Sequence, residues 1–146
     1  MADIPEEHLT EELLDRLLAS ASIEQYLDEG LVSARTLTDY LFDRMDAHDL
    51  RRADVVRASG LNATVVYDIF SGKSRPGRDH AIMLAFGLKC TLRETQRLLR
   101  LAGVSELWCK QRRDAIIIWC IRNGFDRIAT DDELYRMGEA TLLPAD

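Results

Sequence analysis

Residues 59–80 read SGLNATVVYDIFSGKSRPGRDH, and the punctuation of this stretch decides how the chain around it folds. Gly60 closes the helix-period segment RADVVRAS, in which Val55 and Val56 are the apolar positions. A residue without a Cβ is what a tight turn at positive φ requires, so Gly60 is expected to take that conformation. Asn62, two residues on, suits a helix N-cap, and the segment NATVVYDIF repeats apolar residues at helical spacing, burying Val65, Val66 and Ile69. Two short helices that meet steeply across a turn need a small apolar set between them, the form of a helix-turn-helix. Val55, Leu61, Val66 and Ile69 flank Gly60 at the positions that such a set occupies. The following SGKSRPG is a loop by composition.

Outward from this stretch the helical period continues in both directions, giving an all-α fold class of about eight helices. TEELLDRLLAS starts at Thr10, with Glu11 and Glu12 in its first turn, and Leu13, Leu14, Leu17 and Leu18 form one stripe that reads as core-facing. SIEQYLDEG runs from Ser22 to a stop at Gly30. TLTDYLFDRMDAHDL takes Thr38 as its cap and turns Leu41, Phe42, Met45 and Leu50 inward. Beyond the loop, RDHAIMLAFGL offers Ile82, Leu84, Ala85, Phe86 and Leu88 to the core. TLRETQRLLRLAG carries a capping box in Thr91 and Glu94 and ends at Gly103. RRDAIIIWCIRNG, ending at Gly124, is apolar nearly all round. Its triple isoleucine favours a strand by propensity, but no partner strand exists elsewhere, so it reads as a helix buried on both sides. TDDELYRMGEA, from Thr130 with Glu133 three residues on, closes the chain.

At 146 residues, 47% of them apolar, the chain has enough material for one core and a small appendage. Its net charge is −6, but the charge is segregated. Residues 1–50 carry 3 Lys/Arg and 13 Asp/Glu, a net of −10; residues 51–113 carry 13 and 5, a net of +8; residues 114–146 carry 3 and 7, a net of −4. A basic middle inside an acidic chain is the footprint of a polyanion binder. The alternative is a middle that pairs with its own acidic flanks.

The turn, the loop and the packing positions together resemble the lambda-repressor-like (Cro/C1-type, XRE) helix-turn-helix family. The residues carrying the resemblance are Gly60, Leu61, Ile69, Gly72, Lys73, Pro76, Leu84, Ala85, Leu88 and Leu92, within roughly residues 37–103. The resemblance implies a five-helix helix-turn-helix core over 36–104. An acidic N-terminal helical extension over 1–35 then packs on the domain or reaches a protein partner, and a C-terminal helical extension over 105–146 packs on the core or forms a dimer seam. It implies a sequence-specific DNA-binding transcriptional regulator, a homodimer on double-stranded DNA, with its second motif helix in the major groove. Asn62, Ala63, Thr64, Tyr67 and Asp68 would read bases; Arg51, Arg52, Lys73, Arg75 and Arg78 would hold phosphates. The sequence departs from the family pattern at Val56, where alanine is usual, and at Ser59, where a large apolar residue is usual. The reading helix also has no Arg or Lys, and Asp68 occupies an often basic position. These departures keep a second function in view, a protein-interaction adaptor on the same fold that does not bind DNA.

Other chemistries find little support. SGKS lacks the glycine five residues before Gly72 that a nucleotide-binding phosphate loop needs, Tyr67 standing there, and lacks a preceding strand. NAT at Asn62 matches a glycosylation acceptor, which matters only in secreted chains. Cys90, Cys109 and Cys120, like His8, His48 and His80, are too scattered for a disulfide framework or a zinc site. No nucleophile-and-base spacing is visible, so the expectation is no enzyme, no catalytic residue, no metal and no cofactor. No apolar run reaches membrane-span length and the N-terminus is acidic, which points to a cytoplasmic protein with no membrane partner.

Overall fold

A computed structural model describes residues 10–28 and 36–144. Among them are nine helices and no strand, and no described helix is long and apolar enough to cross a membrane. The chain divides into two compact units, residues 1–35 and 36–146.

The first unit contains α1 (Thr10–Ala19) and α2 (Ile23–Asp28). Ser22 caps α2 as expected, its hydroxyl accepting the Gln25 N–H at 3.1 Å. The leucine stripe of α1 does not behave as core: Leu14 and Leu18 are 51% and 73% exposed, and Ile23 and Leu27 of α2 are also exposed. Gly30, His8 and the side chain of Thr10 lie outside the described residues.

The second unit runs through α3 (Leu37–Ala47), α4 (Arg52–Ser59), α5 (Ala63–Phe70), α6 (Arg78–Gly87), α7 (Leu92–Leu101), α8 (Arg112–Arg122) and α9 (Arg127–Arg136). Tyr40 and Leu41 of α3 enter the core, while Phe42 stays 41% exposed and meets Phe70 edge-on, with ring centroids 5.2 Å apart. The cap of α3 is Thr36 rather than Thr38. Thr36 accepts the Asp39 N–H at 3.2 Å and the Asp39 carboxylate accepts the Thr36 N–H, so the helix is closed by a capping box and its cap sits two residues earlier than expected. Thr91 and Glu94 form the capping box expected of α7.

Two further expectations fail in the C-terminal part. The last helix begins at Arg127, capped by Asp126, whose carboxylate accepts the Ala129 N–H at 2.8 Å; Thr130 is buried inside it. And α8 is not buried all round by this chain alone. Ile117 and Cys120 face the core, Ile116, Ile118 and Ile121 are half-buried against it, and Trp119 is 53% exposed, touching Phe125 edge-on.

At the α4–α5 turn the expected backbone and burial are present. Gly60 sits at φ +79°, and Val55, Leu61, Val66 and Ile69 are all buried. Ser59 is fully buried where α4 crosses α6. A Cβ on Gly87 would lie 2.9 Å from the Ser59 Cβ and 2.9 Å from the Val55 carbonyl, so each helix offers a small residue to the crossing. The Ser59 hydroxyl also donates to the Val56 carbonyl and accepts the Leu61 N–H, satisfying a buried donor inside the turn. A large apolar residue at 59 could do neither.

Candidate nucleic-acid interface

The α5 helix presents two chemically distinct sides. Val66, Ile69 and Phe70 are buried; Asn62, Ala63, Thr64 and Tyr67 are exposed, and Asp68 is half-buried. The exposed set is the expected reading set without Asp68, and Asn62, Ala63 and Thr64 lie at the N-terminal end of the helix. Asn62 has a second duty, because its side-chain oxygen accepts the Thr64 N–H at 2.7 Å and caps α5, leaving its amide NH₂ as the outward donor. Tyr67 is 45% exposed and lies under Arg52, whose guanidinium carbon is 5.1 Å from the ring centroid. A cation held over an aromatic face keeps its charge while its position becomes defined. Arg51 precedes α4 in extended backbone and is exposed. Its N–H, bonded to Asp54 at 2.9 Å, is the main reason that the Asp54 carboxyl titrates below its ordinary range.

Beyond α5 the loop folds back on the helix. The Asp68 carbonyl accepts from the Ser71 hydroxyl and from the Lys73 and Ser74 N–H groups, which fixes exposed Lys73 just past the helix end. Arg75 is exposed but leans on α7, donating to the Leu101 carbonyl at 3.3 Å and passing 3.2 Å from where a Gly103 Cβ would stand. Pro76 is buried.

Arg78 has a different part from the one expected of it. Its guanidinium forks onto Asp114, at 3.0 and 2.7 Å, and also donates to the Ser105 and Glu106 carbonyls. A guanidinium engaged on all these acceptors and only 27% exposed is a structural clamp between α6 and the start of α8, not a phosphate contact. Next to it the pairing is reversed: Arg113 of α8 forks onto Asp79 of α6 at 2.9 and 3.1 Å and reaches the Ala140 and Thr141 carbonyls. Burial by itself would raise the Asp114 carboxyl, but hydrogen bonds from Arg78 and the Trp108 N–H, with the charges of Arg78 and Arg113, hold it below the usual range.

The basic middle therefore divides. Arg78 and Arg112 pair with Asp114 and Glu139 of the acidic C-terminal flank, as the alternative has it, and Arg113 pairs with Asp79 inside the middle itself. Arg51, Arg52, Lys73 and Arg75 are exposed, Arg52 over the Tyr67 ring of α5, Lys73 just past the helix end and Arg75 against α7. Sequence reasoning missed the reciprocal clamp, although two Arg-Asp doublets, Arg78-Asp79 and Arg113-Asp114, each at a helix start, were there to be matched.

It also missed Arg127. This residue is 8% exposed, bonds Asp131 at 2.8 Å and lies against the turn, so that a Cβ on Gly60 would be 2.6 Å from its Nε. Asp131 in turn accepts the Leu142 and Leu143 N–H groups. The last helix, α9, thus packs a buried arginine against the turn between α4 and α5. Among the described residues no group of acidic, histidine and cysteine side chains could hold a metal ion. Compared with family models, with curated proteins and with solved structures, the chain gives no significant match.

Proposed function

We propose that the chain is a transcriptional regulator that binds duplex DNA through α5, the α4–α5 pair acting as a helix-turn-helix of the lambda-repressor-like kind. The observation that carries this reading is the sidedness of α5: polar and small residues exposed at its N-terminal half, apolar residues buried behind, Arg52 over exposed Tyr67 and Lys73 just past the helix end. A major-groove helix needs hydrogen-bonding groups at the tip and cations at the phosphates beside it. Thr64 and the Asn62 NH₂ supply the first, and the Ala63 methyl suits a thymine methyl. A two-fold site would engage two copies of the chain.

The test is duplex binding by the purified protein as salt is raised. Affinity should fall steeply, and replacing Arg52, Lys73 and Arg75 with alanine should flatten the log–log slope by about 0.9 per lost phosphate contact. Absence of binding to any duplex at low salt would overturn the proposal. One observation favours a second reading, an adaptor on the same fold: α5 carries Asp68 and neither Lys nor Arg. A stable protein complex together with no duplex binding would select it.

A further inference from the structure

A half-enclosed cavity of about 610 Å³ lies between the last turns of α4 and α6 and the turn joining α8 to α9. Its volume falls in the range of small-molecule sites. Phe86, Ile121, Phe125 and Ile128 give it apolar walls, and Arg57, Lys89 and Arg127 bring cations to the same space. The Arg57 side chain is 75% exposed and 3.4 Å from Asp54, and Lys89 is exposed at φ +56°. Arg127 is more than nine-tenths buried, and its Nε has no hydrogen-bond partner within the protein. One carboxylate among the lining residues, Asp126, is engaged in capping α9.

Apolar walls and a surplus of cations select one ligand class. A divalent cation would meet positive charge, and inorganic phosphate would gain nothing from the phenylalanines. A neutral apolar molecule would leave Arg57 and Lys89 sharing the one carboxylate of Asp54, Arg127 being already paired with Asp131. We propose that this cavity is a binding site for an amphipathic organic anion, a carboxylate on an alkyl or arylalkyl body, with the carboxylate at Lys89 and Arg57 and the body against Phe86, Phe125 and Ile128. The occupant touches the last turn of α4 and the arginine that backs Gly60, so the site sits directly behind the α4–α5 turn. The proposal does not depend on what α5 binds.

The structure contains its own reporter. Phe125 lines the cavity and stands edge-on to Trp119, with centroids 5.3 Å apart. Titrating the full chain with octanoate should change tryptophan emission saturably, whereas octanol and inorganic phosphate at the same concentrations should not. Amide exchange should slow in the last turn of α4 and in the α8–α9 turn. Replacing Arg57 and Lys89 together with alanine should raise the octanoate Kd about tenfold or more. Ile128→Glu, at a position 61% exposed and so tolerable to the fold, should abolish saturation while the far-UV circular dichroism stays that of the parent. No saturation by octanoate, or an equal response to octanol, overturns the ligand class. An unchanged Kd in a folded Ile128→Glu protein, or protection confined to other segments, overturns the site.

Discussion

Replacing Gly60 with alanine should carry two separable costs. The first is backbone: at φ +79° an L-residue with a Cβ meets its own carbonyl, which costs about 1 kcal/mol. The second is contact. The new Cβ would lie 2.6 Å from the Arg127 Nε and 2.9 Å from its Cζ, so the guanidinium must move. That side chain is buried, and its Nη1 is held by Asp131 at 2.8 Å. Breaking a buried pair outright costs about 3–5 kcal/mol, and stretching it costs a part of that. Gly60→Ala should therefore destabilise the unit by about 2–4 kcal/mol. Gly124 is the control: it has φ +76° and nothing within 4 Å of its would-be Cβ, so Gly124→Ala should read the backbone cost alone, about 1 kcal/mol. Urea unfolding followed by circular dichroism gives both values, provided the m-value is unchanged. In an Arg127→Ala background the cost of Gly60→Ala should fall to that of Gly124→Ala. If Gly60→Ala and Gly124→Ala cost the same in the parent protein, Arg127 does not brace the turn and the reasoning is wrong.

Asp114→Asn should cost about 3 kcal/mol, because the Arg78 guanidinium loses its charged partner while remaining partly buried. The sign of its pH dependence follows from the lowered carboxyl. A folded pKa below the ordinary 3.8 gives stability that is fully present above about pH 4 and lost as pH falls through the folded value, so the Asn variant should show a flatter acid limb in unfolding experiments between pH 2 and 7. Gly87→Ala should destabilise by about 2–4 kcal/mol by pushing α6 off Ser59 and the Val55 carbonyl; a midpoint equal to the parent's would mean that the crossing can relax. Asn62→Ala should lower stability by about 1 kcal/mol through the lost cap, and Thr64→Ala should leave it near the parent value. On a selected duplex each should cost about 1–3 kcal/mol of affinity while binding to unrelated duplex barely changes; equal losses on both would assign these residues to grip rather than reading.

What the sequence determined by itself is local. Helical period, the glycine at 60 and the apolar set around it predicted an all-helical chain and the α4–α5 turn, because a positive φ and a 3.6-residue repeat are properties of residues near in the chain. Capping chemistry was legible at Thr91 and Glu94 for the same reason, and misleading at Thr38 and Thr130, where Thr36 and Asp126 were equally good candidates one turn or less away. The exposure of Asn62, Ala63, Thr64 and Tyr67 was legible too, since sidedness follows from spacing. Only the tertiary structure decided which cations remain outside. Arg75 and Arg78 are three residues apart in one basic stretch, yet Arg75 lies exposed and Arg78 is clamped on Asp114, 36 residues away. The Arg78-Asp79 doublet marks Arg78 only once it is matched with Arg113-Asp114; the difference is the partner that the fold brings up. The same holds for Ser59 with Gly87, and for Arg127 with Gly60. A close approach is a property of two segments at once, and a one-dimensional pattern records each segment without the other.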